Sequence, residues 1–119
     1  MELSGTKVMI VEDDALVSML LEESLRDLGC EVVAVADRLD DALEKAGNVT
    51  IDVVMLDVNL AGKLSYPVAG VLRSRGIPFV FATGYGTTGL PAEFQSSPLL
   101  SKPYSQSQLE NALLAATTA

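Results

Sequence analysis

This sequence predicts an α/β fold, in which helices cover both faces of a parallel sheet, and two observations lead to that prediction. Short apolar runs alternate with longer segments whose apolar residues repeat at helical spacing. The central run, Val53–Leu56, is apolar throughout, which is typical of a strand covered on both faces. The chain has 119 residues, enough for one core, so we predict a single domain over 1–119 with its core at about 7–116.

Five strands alternate with five helical segments in this pattern, which is written (βα)5. The fourth helical segment is weak, because glycines and prolines are frequent within 84–98, and we expect its helix to be short or disordered. We expect a flavodoxin-like three-layer sandwich with the strand order 2-1-3-4-5. The predicted strands are Lys7–Val11, Glu31–Ala36, Val53–Leu56, Phe79–Ala82 and Leu99–Ser101. The predicted helices are about Ala15–Leu28, Arg38–Ala46, Tyr66–Ser74, Ala92–Gln95 and Gln106–Ala116.

Short polar side chains precede the predicted helices and are expected to cap them. Asp14 and Asp37 are placed to accept hydrogen bonds from the exposed amides of the first and second helices. Ser65 is the expected cap of the third helix, and Ser105 with Gln108 is typical of a capping box. In the first helix an apolar repeat predicts one broad buried face formed by Leu16, Val17, Leu20, Leu21, Leu25 and Leu28.

The composition argues against several classes of function. A net charge of −8 and a pI of about 4.3 disfavour attraction to nucleic acid or to an anionic membrane. The sequence contains no histidine, so a phosphohistidine would have to belong to a partner. We find no apolar run as long as a membrane span and no signal peptide. The single cysteine, Cys30, is expected to be a buried core residue, consistent with a cytoplasmic protein.

Polar residues stand where four of the apolar strands end. Glu12 and Asp13 follow the first strand, Asp57 the third, Thr83 the fourth and Lys102 the fifth. Because the carboxyl ends of parallel strands open onto one edge of the sheet, these side chains are expected in one crevice. Each residue alone has an ordinary interpretation as a cap, a turn residue or a surface group, and their joint placement is what indicates a site.

Three carboxylates placed together repel one another and favour a divalent cation. Mg2+ prefers oxygen ligands, so we expect Asp13 and Asp57 to bind it directly and Glu12 to bind it through water. The backbone carbonyl of Asn59 is a further candidate ligand.

The same crevice suits phosphoryl transfer, which depends mainly on positioning and charge stabilisation. A carboxylate can accept a phosphoryl group as an aspartyl phosphate, and Asp57 is the candidate acceptor. Thr83 offers a hydroxyl to one phosphoryl oxygen and Lys102 an ammonium to another. The pattern G-x-G-x-x-G at 84–89 favours a flexible loop over a nucleotide site, because it follows the fourth strand and does not open a helix.

These motifs make the chain resemble the receiver domains of two-component response regulators over nearly its whole length. The matching segments are Val-Glu-Asp-Asp at 11–14, Leu-Asp-Val-Asn at 56–59, Ala-Thr-Gly at 82–84 and Ser-Lys-Pro-Tyr at 101–104. The resemblance implies Mg2+ as the cofactor and a cis Lys102–Pro103 bond. The roles that it implies are phosphoacceptor for Asp57, metal binding for Glu12 and Asp13, and phosphoryl contact for Thr83 and Lys102.

A finer resemblance is to the FATGUY subgroup of receivers, which Pro78–Tyr85 matches residue for residue, as does the long loop at 59–67. It implies a histidine kinase, of the HWE or a related type, or a phosphotransfer protein as the partner. The downstream target protein stays unknown. Ordinary receivers carry a switch aromatic where this chain has Leu99, so we expect Tyr85 and a mobile segment at 84–98 to replace that switch.

The leading interpretation is a phosphorylatable switch that changes partner binding, and not an enzyme, apart from catalysing its own phosphorylation and dephosphorylation. Two alternatives stay open: a receiver-like adaptor that works without phosphate, and a small aspartyl-phosphate phosphatase similar to haloacid-dehalogenase enzymes. The intact set of Asp57, Thr83 and Lys102 disfavours the adaptor. A nucleophile on the third strand disfavours the phosphatase. Partner contacts are expected around the fifth strand and the last helix.

Overall fold

The structure is a computed structural model that describes residues 2–84 and 90–118. In those ranges five parallel strands form one sheet, and two short strands form an antiparallel hairpin. The strands of the sheet are β1 (Lys7–Val11), β2 (Glu31–Ala36), β3 (Val53–Asp57), β6 (Phe79–Thr83) and β7 (Leu99–Ser101), and those of the hairpin are β4 (Asn59–Leu60) and β5 (Lys63–Leu64). The α-helices found there are α1 (Ala15–Asp27), α2 (Leu39–Asn48), α3 (Tyr66–Ser74) and α4 (Gln106–Thr117). None of these helices is long and apolar enough to cross a membrane.

The strand order of the sheet is β2-β1-β3-β6-β7 in the described residues. This order confirms the predicted 2-1-3-4-5, since the two hairpin strands lie outside the sheet. Val11 pairs with Leu56, so the residues that follow them emerge side by side between β1 and β3. Asp57 pairs with Ala82 of β6, which brings the end of that strand to the same edge. The carboxyl ends of the strands therefore meet at one edge of the sheet, as the parallel order requires.

Apolar side chains form one core on each face of the sheet, one against α2 and α3 and the other against α1 and α4. Every residue of β3 is buried, as predicted for the central strand. Phe79 and Phe81 of β6 belong to the first core and Val80 to the second, because successive strand residues face opposite sides. Cys30 is buried in the second core, as predicted, and this burial raises the pKa of its thiol.

The face that α1 buries is narrower than predicted. Leu21 and Leu25 are buried, whereas Leu16 and Leu20 are 60 % and 54 % exposed. The prediction that these last two join the buried face is therefore wrong. Successive helix residues are about 100° apart, which places Leu16 and Leu20 on the opposite side of α1 from Leu21 and Leu25. Since α1 is apolar on both sides, contact with the sheet covers one side, and the other is left open with Met19 beside it.

Two of the predicted helix caps are wrong and two are confirmed. The helix α2 begins one residue later than predicted, so Asp37 lies outside the cap position, and Arg38, which occupies it, makes no side-chain cap hydrogen bond. Ser65 occupies the cap position of α3, but its hydroxyl donates to the backbone carbonyl of Asp57 instead of accepting from the helix. Asp14 accepts from the first turn of α1, and the capping box of Ser105 is present.

In the described part of the weak fourth helical segment, at 90–98, the helical structure is one 3-10 turn at Ala92–Phe94. A short helix was expected there, because few residues of this segment favour a helix. Phe94 is buried with Phe79 and Phe81 in the core beneath α3. The predicted switch residue Tyr85 falls at 85–89, outside the described residues.

Candidate functional site

Three carboxylates meet at the carboxyl edge of the sheet. Glu12 and Asp13 follow β1, and Asp57 ends the neighbouring strand β3. Each offers an oxygen that lies within 4.8 Å of the other two. Glu12 and Asp57 are buried, whereas Asp13 is exposed, so the group reaches from the interior to the surface. The acids predicted from the strand ends are therefore brought together.

Lys102 places a cation between two of these carboxylates. Its Nζ donates to Glu12 Oε1 at 2.8 Å and to Asp57 Oδ2 at 3.2 Å. Burial by itself would lower the pKa of Lys102, but the hydrogen bond to Glu12 and the negative charges of Asp57 and Glu12 outweigh burial and raise this pKa above its ordinary value. Lys102 is therefore charged at neutral pH and balances part of the negative charge.

The ends of β6 and β7 position Thr83 and Lys102. The amide of Lys102 donates to the carbonyl of Thr83 at 2.8 Å, which extends the contact between the two strands. The Lys102–Pro103 bond is cis, as the resemblance implied. Thr83 is buried at the end of β6, one residue beyond Ala82, which pairs with Asp57. Both predicted phosphoryl contacts thus lie at the edge where the acids are.

Two hydrogen bonds that the sequence did not reveal hold Asp57. Ser65 is fully buried, and its hydroxyl donates to the backbone carbonyl of Asp57. The amide of Asn59 donates to Asp57 Oδ1 at 3.3 Å. A serine that follows a loop and precedes a helix is equally typical of a helix cap, which is why the sequence pointed to the wrong partner for Ser65.

The β4–β5 hairpin contacts Asp13, the exposed acid. The amide of Ala61 donates to Asp13 Oδ2 at 3.1 Å. Ala61 has φ of 50° and Gly62 has φ of 89°, the left-handed values that a tight hairpin turn favours. This conformation is strained for alanine, and the charge-assisted bond to Asp13 helps to hold it. Gly62 indicated a loop in the sequence, but no pattern there indicated a hairpin.

The remaining predicted residues are Asn59, which lies near the acids, and Leu99, which packs in the core. Asn59 begins β4, and its side-chain oxygen accepts from the amide of Gly62 at 2.8 Å. Its backbone carbonyl stays a predicted metal ligand. Leu99 pairs with Phe81 and packs against the core beneath α3, so it contributes an apolar contact at the position expected for the switch.

The donor set of this site fits a hard divalent cation. Carboxylate oxygens are the ligands that Mg2+ prefers, and Glu12, Asp13 and Asp57 offer three of them close together. The ammonium of Lys102 balances one of the three negative charges, so an excess of negative charge is left. A phosphoryl group on Asp57 would also be close to that ammonium, which is already within hydrogen-bond distance of Asp57 Oδ2.

Comparison with known proteins identifies the family. The family described as response regulator receiver domain matches residues 8–114. The sensory transduction protein LytT of Bacillus cereus is 31 % identical over 111 residues, which cover 90 % of this chain and 45 % of LytT. The chain therefore spans about half the length of the curated relatives that it matches.

Solved structures of receiver domains share the fold. SdrG from Sphingomonas melonis Fr1 is 40 % identical with a TM-score of 0.84, covering 97 % of this chain and 98 % of SdrG. The receiver domain of the sensor histidine kinase PA1611 from Pseudomonas aeruginosa PAO1, solved with a magnesium ion in its active site cleft, has a TM-score of 0.84, covering 98 % of this chain and 100 % of that domain. At 21 % identity this second likeness concerns the fold. On the family match over most of its length, the chain belongs to the response regulator receiver domains.

Proposed function

We propose that this chain is the phosphoacceptor domain of a two-component phosphorelay, in which Asp57 receives a phosphoryl group from a partner histidine kinase or phosphotransfer protein. The observation that carries the proposal is the contact of Lys102 with both Glu12 and Asp57, beside the third carboxylate of Asp13. Three acids and one ammonium at the edge of a parallel sheet suit a divalent cation and a phosphoryl group together.

The proposed transfer is a displacement at phosphorus. A carboxylate oxygen of Asp57 forms a bond to phosphorus while the N–P bond of the partner's phosphohistidine breaks, and the electron pair of that bond returns to the imidazole nitrogen. Residues 1–119 contain no histidine, and we propose a partner as the donor. Mg2+, held by Glu12, Asp13, Asp57 and the carbonyl of Asn59, would neutralise charge on the phosphoryl oxygens.

Lys102 and Thr83 are the residues that we propose to hold the phosphoryl group. The Lys102 ammonium lies 3.2 Å from Asp57 Oδ2 and would donate to a phosphoryl oxygen carried by that carboxylate. The Thr83 hydroxyl, at the end of the strand next to β3, would contact a second oxygen. The same groups would serve self-catalysed dephosphorylation, in which a water oxygen replaces the aspartate oxygen on phosphorus.

We also propose that this protein is cytoplasmic and belongs to the FATGUY subgroup, with a histidine kinase of the HWE or a related type as the donor. The segment Pro78–Tyr85 supports this subgroup, and the likeness to SdrG and to the receiver domain of PhyR from Erythrobacter litoralis is consistent with it. We assign 1–119 to one receiver domain with its core at about 7–116. We propose that phosphorylation of this domain changes its binding of a downstream protein.

A beryllofluoride titration tests the phosphoacceptor role, because this anion mimics an aspartyl phosphate. In the presence of Mg2+ we expect it to shift the amide NMR resonances of Asp57, Thr83 and Lys102 in the wild type. We expect no such shifts in Asp57→Asn, which keeps the size of the side chain and removes the nucleophilic carboxylate. Acetyl phosphate is expected to add one phosphoryl mass to the wild type and none to the variant.

Two other results would favour the alternative functions. Absence of any beryllofluoride response in the wild type would make the phosphate-independent adaptor the better account. Turnover of a generic phosphomonoester by the wild type, lost in Asp57→Asn, would favour the small phosphatase.

The exposed apolar face of α1 lies next to the site, and we propose it as the docking surface for the phosphodonor. Leu16, Met19 and Leu20 are each more than half exposed and lie on one side of the helix. Grouped apolar side chains on a surface are typical of interaction sites. A recess of about 330 Å³ adjoins this face, and its acids favour a partner with basic side chains. Those acids are Glu12, Asp13, Glu22 and Asp37.

The substitution Leu16→Ser is expected to slow phosphotransfer from a cognate histidine kinase by about tenfold, the effect of losing one apolar interface contact. Phosphorylation by acetyl phosphate is expected to stay unchanged, because this small donor needs no docking surface. Since Leu16 is exposed, its replacement is expected to change the free energy of unfolding by less than about 0.5 kcal/mol. Radiolabel transfer from the kinase and mass spectrometry with acetyl phosphate measure the two rates. Equal slowing with both donors would contradict the docking role.

A further inference from the structure

A recess lined by aromatic rings is filled by a side chain from the 3-10 turn between β6 and β7. The ring of Phe94 stacks on that of Tyr66, with centroids 5.6 Å apart and planes 21° apart. It meets the ring of Phe81 edge-on at 5.5 Å and that of Phe79 at 6.3 Å. We call the site formed by Tyr66, Phe79 and Phe81 the aromatic recess. Its walls belong to α3 and β6, whereas its occupant comes from a 3-10 turn.

The described residues 90–98, which carry Phe94, are joined to β6 by a hydrogen bond from the amide of Phe81 to the carbonyl of Pro98 at 2.9 Å. Within 90–98 the secondary structure is one 3-10 turn, and the buried side chains are Leu90 and Phe94. Arg73 of α3 donates to the carbonyl of Glu93 at 3.2 Å and to the hydroxyl of Ser97 at 3.4 Å, and the second distance is long for a hydrogen bond. Within the 3-10 turn, Phe94 is the buried residue, and withdrawal of its ring would free the aromatic recess.

Both walls of the aromatic recess are linked to the phosphoacceptor. Tyr66 follows Ser65, whose hydroxyl donates to the carbonyl of Asp57. Phe81 lies two residues before Thr83 on β6, so the two side chains share a face of that strand. A movement of Thr83 toward a phosphoryl group on Asp57 would therefore shift β6, the strand that forms one wall of the aromatic recess.

We propose that the aromatic recess is the docking site for an aromatic side chain of the downstream protein, and that Phe94 occupies it as an internal competitor until Asp57 is phosphorylated. This inference rests on the proposed phosphoacceptor function, which supplies the second state. The present occupant defines the ligand chemistry. A six-membered ring fits by stacking on Tyr66 and meeting Phe81 edge-on, the geometries that aromatic pairs prefer.

Arg73 lies at the rim of the aromatic recess, and its charge would favour a partner that carries an acidic residue next to its aromatic residue. The guanidinium of Arg73 lies 4.7 Å from the ring centroid of Phe94 and 6.0 Å from that of Phe79. It is a cation on a chain of net charge −8, and Glu93 precedes Phe94 in the segment that now fills the recess. A partner segment with an acidic residue beside an aromatic one would place its carboxylate near this guanidinium.

Fluorine NMR on protein labelled with 4-fluorophenylalanine tests the release of Phe94. The chain has three phenylalanines, and the variant Phe94→Leu assigns the resonance of Phe94. With Mg2+ and beryllofluoride we expect that resonance to move toward the value of the free amino acid and to show the largest solvent isotope shift of the three.

The controls separate this inference from the function on which it rests. A fixed Phe94 resonance, together with shifted amides of Asp57 and Thr83, would overturn the inference and leave the phosphoacceptor role standing. A fixed Phe94 resonance together with unshifted amides would overturn both.

A dipeptide titration tests the aromatic recess as a binding site. N-acetyl-Glu-Phe-amide is expected to shift the fluorine resonances of Phe79 and Phe81 in the beryllofluoride-bound protein, and N-acetyl-Glu-Ala-amide is expected to leave them in place. Without beryllofluoride the first dipeptide should cause smaller shifts, because Phe94 competes with it. The variant Arg73→Gln should weaken the response. Equal shifts from both dipeptides, or equal shifts with and without beryllofluoride, would overturn the proposal.

Discussion

Replacing Phe81 with alanine is expected to lower the free energy of unfolding by about 3–5 kcal/mol, the usual cost of removing a phenyl ring from a packed core. Phe81 is fully buried in β6. Its ring lies 6.1 Å from that of Tyr66, 5.2 Å from that of Phe79 and 5.5 Å from that of Phe94. Pairing with strands on both sides keeps the backbone of β6 from moving in to fill the space. Domains of this size are stable by roughly 5–15 kcal/mol, so a large part of the stability would be lost.

Urea unfolding followed by circular dichroism measures this loss. The matched control is Leu64→Ala on β5, where the leucine is 53 % exposed, and its expected change is below about 0.5 kcal/mol. A loss in Phe81→Ala no greater than that in the control would contradict the central position of this ring in the core.

Replacing Asp13 with asparagine is expected to weaken Mg2+ binding by at least about tenfold, since even outer-shell partners of metal ligands have effects of that size. The metal-free protein is expected to keep or gain stability. Asparagine still offers an oxygen to the amide of Ala61, so the hairpin contact is retained, while one negative charge leaves the acidic group. Mg2+ would then raise the melting temperature of the variant less than that of the wild type, because the stabilisation follows the affinity.

The substitution Lys102→Met is the counterpart with the opposite expected effect on Mg2+ affinity. Methionine keeps an unbranched apolar stem but removes the ammonium that donates to Glu12 and Asp57. The metal-free variant is expected to be less stable, because two buried acids lose their cation. Mg2+ is expected to bind more tightly, because that cation no longer opposes it. Calorimetric titration of Mg2+ into both variants measures this, and affinity changes of the same sign in Asp13→Asn and Lys102→Met would contradict an electrostatic origin.

The sheet and the grouping of polar residues at its edge were predictable because they depend on short stretches of sequence. A continuous apolar run is enough to indicate a buried parallel strand, and the first polar residue after it indicates where the strand ends. The parallel order then places Glu12, Asp57 and Lys102 at one edge without further information. Their proposed chemical roles rest on that grouping together with the family resemblance.

Other features depended on contacts between distant segments, and the sequence could not determine them. Leu16 and Leu20 are as apolar as Leu21 and Leu25, so hydrophobicity alone did not show which side of α1 faces the sheet. Ser65 had two possible partners, the amides of its own helix and the carbonyl of a strand residue eight positions earlier, and only the packing of α3 selects the second. The hairpin after β3 likewise depends on its contact with Asp13.

The two ion pairs of Lys102 join residues that are 90 and 45 positions apart in the chain. Contacts of such sequence separation form late in folding, because the intervening segments must first be ordered. A partly folded chain therefore has the residues of the site but not the site itself. If Asp57 is the phosphoacceptor that we propose, phosphorylation at this pocket would therefore be restricted to molecules that have finished folding.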